Sequence, residues 1–122
     1  MNIVLWILQI LVALAFLFHA GLMFSPQSPQ ASQMPYILAI PANFRKVLGA
    51  LEGLGAIGLI LPALTHVLPW LSPLAALGLV ILMAAAIVFH IGRRENPNIM
   101  LNVILLVLAV FIAYGRFAIA PL

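Results

Sequence analysis

FRKVLGALEGLGAIGLILP, residues 44–62, decides what kind of molecule this chain makes. The stretch is apolar enough to cross a bilayer, yet it carries one acid, Glu52, about two helical turns inside. A carboxyl group at that depth costs roughly 2.5–3.5 kcal/mol on insertion scales, so it is seldom left facing lipid. On a helix, Gly49, Glu52, Gly53 and Ala56 fall on one face. Gly49 and Gly53 form a GxxxG pair, and small residues at this spacing let a neighbouring backbone approach closely. The acid is therefore predicted on a face packed against other helices. Arg45 and Lys46 stand at the mouth of the same helix.

Composition fits that reading. Of the 122 residues 66% are hydrophobic and 6% charged, which excludes an ordinary soluble domain and indicates one small all-α membrane domain. The formal charge of +3 comes from only five basic residues with no stripe connecting them, so no nucleic-acid partner is predicted. They are better placed at membrane edges. The chain has no cysteine, which excludes disulfides, thiol catalysis and cysteine-ligated clusters. No metal site is predicted.

Outward from residues 44–62, three further apolar runs are long enough to span a hydrocarbon core that needs about 20 helical residues. The spans are predicted at about residues 2–23, 44–62, 70–91 and 97–115. The first lacks the basic start of a signal peptide, and its apolar part is too long for one, so a retained helix is expected. Residues 25–43 form the longest connection, broken by Pro26, Pro29, Pro35 and Pro41. Within it MPYILAI, residues 34–40, reads first as a plain connecting loop and otherwise as a surface segment or a lid. Pro62 is expected to close the second span. His66 reads as an exposed loop residue, Trp70 as an interfacial aromatic, and Pro97 as a helix opener. Arg116 is expected to snorkel at the far end of the last span. Four spans with two short turns predict an up-down-up-down bundle, favoured over three spans plus a surface helix because every segment is long enough to cross.

Let side A be the end where the first span starts and side B the end where it exits. Alternation puts His19, Arg45, Lys46, Glu52, His90 and Asn102 in the side-B half, with Glu52 on the order of 12 Å deep. Side A offers only Gln9, Thr65, His66 and Arg116, most of them at the rim. This asymmetry is the main functional signal. A carboxyl and a histidine sharing a proton near a membrane edge suit quinone reduction or proton-coupled chemistry. The plainer reading is a buried hydrogen-bond network holding the bundle in register. Arg45, Lys46, Arg93 and Arg94 on side B, against Arg116 alone on side A, predict side B cytoplasmic and both termini outside.

The segments GALEGLGAIGLILP (residues 49–62), AAAIVFHIGRRENP (84–97), VFIAYGR (110–116) and FLFHAG (16–21) resemble the DoxX-like family of small four-helix membrane proteins. Glu52 stands at that family's acidic position, and His90 closes the third span. The resemblance implies a multi-pass bacterial or archaeal inner-membrane protein. Founding members resemble small subunits of a thiosulfate:quinone oxidoreductase, and others are associated with membrane redox complexes. More distantly the family resembles quinone-linked thiol oxidoreductases, a chemistry that a cysteine-free chain cannot perform.

Three readings of function are therefore carried forward. The first is a small subunit or accessory of a quinone-linked redox assembly, itself not necessarily catalytic. Its Glu52 pocket would contact a quinone or a membrane or peripheral redox partner, with a homo-oligomer left open. The second is a bundle that binds or transports a small molecule or lipid in the same pocket. The third is a haem b carrier through His19 and His90.

Overall fold

Four long helices are separated by one long connection and two tight turns. They are α1 (Asn2–Phe24), α3 (Ala42–Thr65), α4 (Leu71–Arg93) and α5 (Asn96–Tyr114), with a short α2 (Tyr36–Ala39) between the first two. A 3₁₀ turn (Ala31–Gln33) precedes α2, and α5 runs on into a π-helical turn (Gly115–Ile119). The computed structural model describes all 122 residues and contains no strand. Each long helix, α5 with its extension included, is long and apolar enough to cross a membrane. The chain is a multi-pass all-α membrane protein, and its outward faces carry many exposed leucine, isoleucine, valine and phenylalanine side chains. Its connections are compatible with an up-down-up-down course.

Small residues on α3 set how closely the helices pack. A Cβ added at Gly49 would lie 2.9 Å from the Phe24 ring and 3.1 Å from Met23 Cβ, so α1 crosses here because residue 49 has no side chain. Gly53, its GxxxG partner, has more room, with Ala20 Cβ at 4.0 Å. The other face of α3 works the same way against α4. A Cβ at Gly55 would lie 2.7 Å from Leu79 Cδ2, and one at Gly58 would lie 2.8 Å from Ala75 Cβ. Between the helices lies a core from all four spans, including Phe16, Ala56, Leu59, Leu79 and Ile112.

The sequence predicts that α3 stops at Pro62, but it continues to Thr65. A proline inside a helix removes the N–H that would reach the carbonyl four residues earlier, here Gly58. In a membrane that carbonyl needs another donor, and a neighbouring helix can supply one. Ser72 of α4, fully buried, does so: its hydroxyl donates to Gly58 O at 3.1 Å, with Leu59 O at 3.3 Å. Gln9 of α1 donates to the same Leu59 carbonyl at 2.6 Å. Two helices thus hold the turn of α3 that Pro62 disrupts.

The long connection is more than a plain loop. Ala31, Tyr36, Ile37 and Ile40 are buried against Leu22 and Met23, forming a small second core over the side-B end. Burying a residue such as Ile37 contributes about 1.5–3 kcal/mol, enough to draw an apolar heptapeptide out of solvent once Pro35 and Pro41 bound it. Arg45 ties this segment down. Its Nε donates to Met23 O at 2.8 Å and its Nη1 to Ile40 O at 3.4 Å, so one guanidinium satisfies the ends of both α1 and the lid.

Candidate functional site

Glu52 is buried on α3, on the face that Gly49 and Gly53 bring against α1. That approach places it next to His19, whose Nδ1 lies 2.8 Å from Glu52 Oε1. The other ring nitrogen of His19, Nε2, lies 2.6 Å from the Tyr36 hydroxyl. Glu52, His19 and Tyr36 therefore form one hydrogen-bonded chain from α3 through α1 to the lid. Burial, followed by the nearby charges of Glu52 and Glu95, pushes the Tyr36 phenol up to about 12. Tyr36 is consequently a neutral hydrogen-bond donor throughout the physiological range.

The proton positions have two self-consistent arrangements. With neutral His19, Nδ1–H donates to Glu52 and Nε2 accepts from the Tyr36 hydroxyl. With imidazolium, both nitrogens donate, and the Tyr36 hydroxyl turns to Met34 Sδ, 3.6 Å away. A proton can thus be held or released without moving a heavy atom.

His90 closes α4 in a separate cluster. Its Nδ1 lies 2.8 Å from Glu95 Oε1, and Arg93 Nε donates to the same oxygen at 3.1 Å. Partial desolvation pushes the Glu95 carboxyl up, but the hydrogen bonds from His90 and Arg93 outweigh it and hold the group below its ordinary value. The backbone makes this possible. Arg94 takes the left-handed conformation (φ 57°), and the Glu95 N–H returns to His90 O at 3.1 Å. Such a reversal ends the helix and swings Glu95 back over the ring. The Tyr36 ring bridges the two clusters, stacked on His19 at 5.9 Å and edge-on to His90 at 4.8 Å.

Below this network lies a cavity of about 470 Å³. His19, Tyr36, Glu52, His90, Asn98 and Asn102 form its polar part, and the other lining is apolar, from all four long helices and the lid. Volumes of this order suit a small-molecule site, where a few polar groups orient an otherwise apolar ligand. Two polar atoms among these residues are buried without a partner, Glu52 Oε2 and Asn102 Nδ2.

Of the residues singled out from sequence, His19, Glu52, His90 and Asn102 line this cavity. Arg45 is buried but spends its donors on backbone carbonyls, and Lys46 is exposed on the surface. The partner of Glu52 is therefore His19, not a basic residue of its own helix. Tyr36 and Glu95 were not singled out. The only signals for them are a lone tyrosine in MPYILAI and an acid five residues after His90.

Side A also departs from expectation. Gln9, placed in the side-A half, and Arg116, expected to snorkel at its rim, are 0% and 2% exposed. Arg116 Nε donates to Gln9 Oε1 at 2.7 Å, and Nη1 donates to Asn2 Oδ1 at 2.7 Å and Ala120 O at 3.0 Å. The guanidinium does not snorkel because the π-helical turn carries it inward, against the start of α1. Buried polar groups thus occur in both halves of the bundle.

A haem b held by His19 and His90 would need one free nitrogen from each ring. Both nitrogens of His19 are engaged, so this pair does not fit the group.

No curated protein and no solved structure matches the chain. The sequence profile of the DoxX-like family matches residues 7–112, from the second turn of α1 to near the end of α5.

Proposed function

The chain belongs to the DoxX-like family, and from that premise we propose that it is a small inner-membrane subunit of a quinone-linked redox assembly. The cavity beside Glu52 is, in this reading, the quinone head-group site. The observation that carries it is the Tyr36–His19–Glu52 hydrogen-bonded chain at the wall of an apolar cavity of about 470 Å³. Reducing a quinone to a quinol adds two electrons and two protons, one to each carbonyl oxygen. This chain supplies the proton side. Glu52 and His19 hold a proton beside the cavity, and Tyr36 relays it from the side-B end. Electrons come from a partner subunit that carries a redox group, since the chain has no cysteine pair to deliver the two that are needed. The basic residues Lys46, Arg93 and Arg94 favour side B as the cytoplasmic face, where that partner would dock.

The test is binding of a short-tailed quinone to the purified protein, wild type and Glu52→Leu, followed by difference absorbance. A quinone carbonyl only accepts, so the proton held by Glu52 and His19 makes the bond. A neutral hydrogen bond of this kind is worth about 0.5–1.5 kcal/mol, and Glu52→Leu, which removes the group, is expected to weaken binding by about two- to tenfold. The absence of saturable quinone binding in the wild type sinks the reading. Saturable binding of a plain fatty acid or phospholipid instead, displaced by no quinone, would favour a lipid-binding bundle.

A further inference from the structure

Arg116 is a buried cation without a counter-ion. The chain has only two acids, Glu52 and Glu95. Both belong to the side-B clusters, while Arg116 is held at side A against Asn2 and Gln9. Every acceptor it meets is neutral: Gln9 Oε1, Asn2 Oδ1 and Ala120 O. The Trp6 ring, 5.7 Å from the guanidinium carbon, adds a cation–π contact but no negative charge. The third nitrogen, Nη2, is buried and has no partner at all. Arginine does not shed its proton to escape this situation, and an unpaired buried charge is among the costliest groups a protein can hold.

Arg116 also lines a cavity of about 240 Å³, whose other walls are Pro69, Trp70, Pro73, Phe117, Pro121 and Leu122; the Leu122 carboxylate does not form an ion pair with it. One cation set among aromatic and proline side chains is the chemistry of an anion attached to something apolar. Tryptophans such as Trp6 and Trp70 belong at head-group level, where a buried guanidinium is within reach of lipid phosphates.

We propose that Arg116 anchors a second binding site, in the leaflet opposite the Glu52 cavity, for the phosphodiester head group of an anionic lipid. The phosphate sits against Arg116 in the cavity and supplies the negative charge that no ion pair within the chain brings to it. Trp70 and Phe117 pack along the glycerol and the first acyl carbons. The site is independent of the quinone reading, sharing neither residues nor membrane face with it.

Native mass spectrometry of the intact protein tests this, with phosphatidylglycerol, phosphatidylcholine and inorganic phosphate as the three probes. Phe117 is 53% exposed and its side chain makes none of the Arg116 hydrogen bonds, so Phe117→Glu supplies a built-in counter-ion while leaving them in place. Phe117→Gln is its neutral control. Phosphatidylglycerol retention is expected to be at least about fivefold lower in Phe117→Glu than in Phe117→Gln, which loses the same ring contact without adding a charge. That ratio corresponds to the roughly 1 kcal/mol that one basic residue gains at a lipid surface. Arg116→Gln is expected to lose the lipid as well, but Phe117→Glu decides the question even if that variant does not fold. Equal retention by wild type and Phe117→Glu overturns the site, as does phosphatidylcholine bound as tightly as phosphatidylglycerol. Displacement of phosphatidylglycerol by millimolar inorganic phosphate overturns the lipid as occupant in favour of the free anion.

Discussion

At the scale of single residues, Tyr36 matters most, because it touches both histidines and belongs to neither's helix. Its phenol is pushed up to about 12, so its contribution to folding is complete below the ordinary tyrosine value and is lost only as pH rises through about 12. In a Tyr114→Phe background Tyr36 is the last tyrosine. Its phenolate absorbance should then appear at about pH 12, and a midpoint near the ordinary value would mean that the lid does not bury it. Pro62 and Ser72 offer a second test at this scale. Ser72→Ala leaves the Gly58 carbonyl without the donor it needs, and hydrogen bonds of this kind in membranes are worth about 0.6 kcal/mol on average, up to about 1.7. In a Pro62→Ala background the helix regains its own N–H, and the same Ser72→Ala change should cost measurably less. A double-mutant cycle in detergent unfolding reads the difference, and additivity would show the two residues to be unconnected. Neither relationship was legible beforehand. Serine and proline ten positions apart carry no pattern until α3 and α4 are packed.

At the scale of helices, the glycines of α3 divide by what lies across from them. Gly58→Ala drives a Cβ to 2.8 Å from the Ala75 Cβ, which has no rotamer with which to retreat. Overpacking of this kind costs about 1–3 kcal/mol. Gly53→Ala faces only Ala20 Cβ at 4.0 Å, and the gain in helix propensity, up to about 1 kcal/mol, should leave it neutral or stabilised. Thermal denaturation of the two variants should separate them, and the GxxxG spacing by itself would have marked Gly53 as the sensitive one. The turn between α4 and α5 gives a prediction in pH. Glu95 is held below its ordinary value, so the stabilisation from its pairing with His90 and Arg93 is present above that value and disappears as pH falls through the lowered one. Wild type should be more stable than Glu95→Gln near neutrality, and the gap should close in acid. A gap unchanged by pH would assign the effect to shape instead of charge. What sequence supplies at this scale is the spans themselves, because twenty apolar residues admit few alternatives. It fails at the lid, where five apolar residues between Pro35 and Pro41 are equally consistent with a surface segment until Leu22 and Met23 are seen to be free to receive them.

At the scale of the molecule, the four-helix plan was written in hydropathy, and the placing of His19 and Glu52 in one half of the bundle followed from alternation, though their contact did not. The pairings of Arg45 and Arg116 were hidden, because alternation gives depth along the membrane normal but not rotation about each helix axis. Rotation is what turned Arg45 toward carbonyls and Arg116 toward α1. The side-A latch also bears on how the chain is made. Its two side-chain bonds between Arg116 and α1 join residues 107 and 114 positions apart, from opposite ends of the chain. A polypeptide emerging from the ribosome threads Gln9 into the bilayer long before Arg116 has been synthesised, so until then Gln9 Oε1 has no guanidinium to accept from. The fold is finished by its tail, and a nascent chain halted at Tyr114 would be inserted but unfastened.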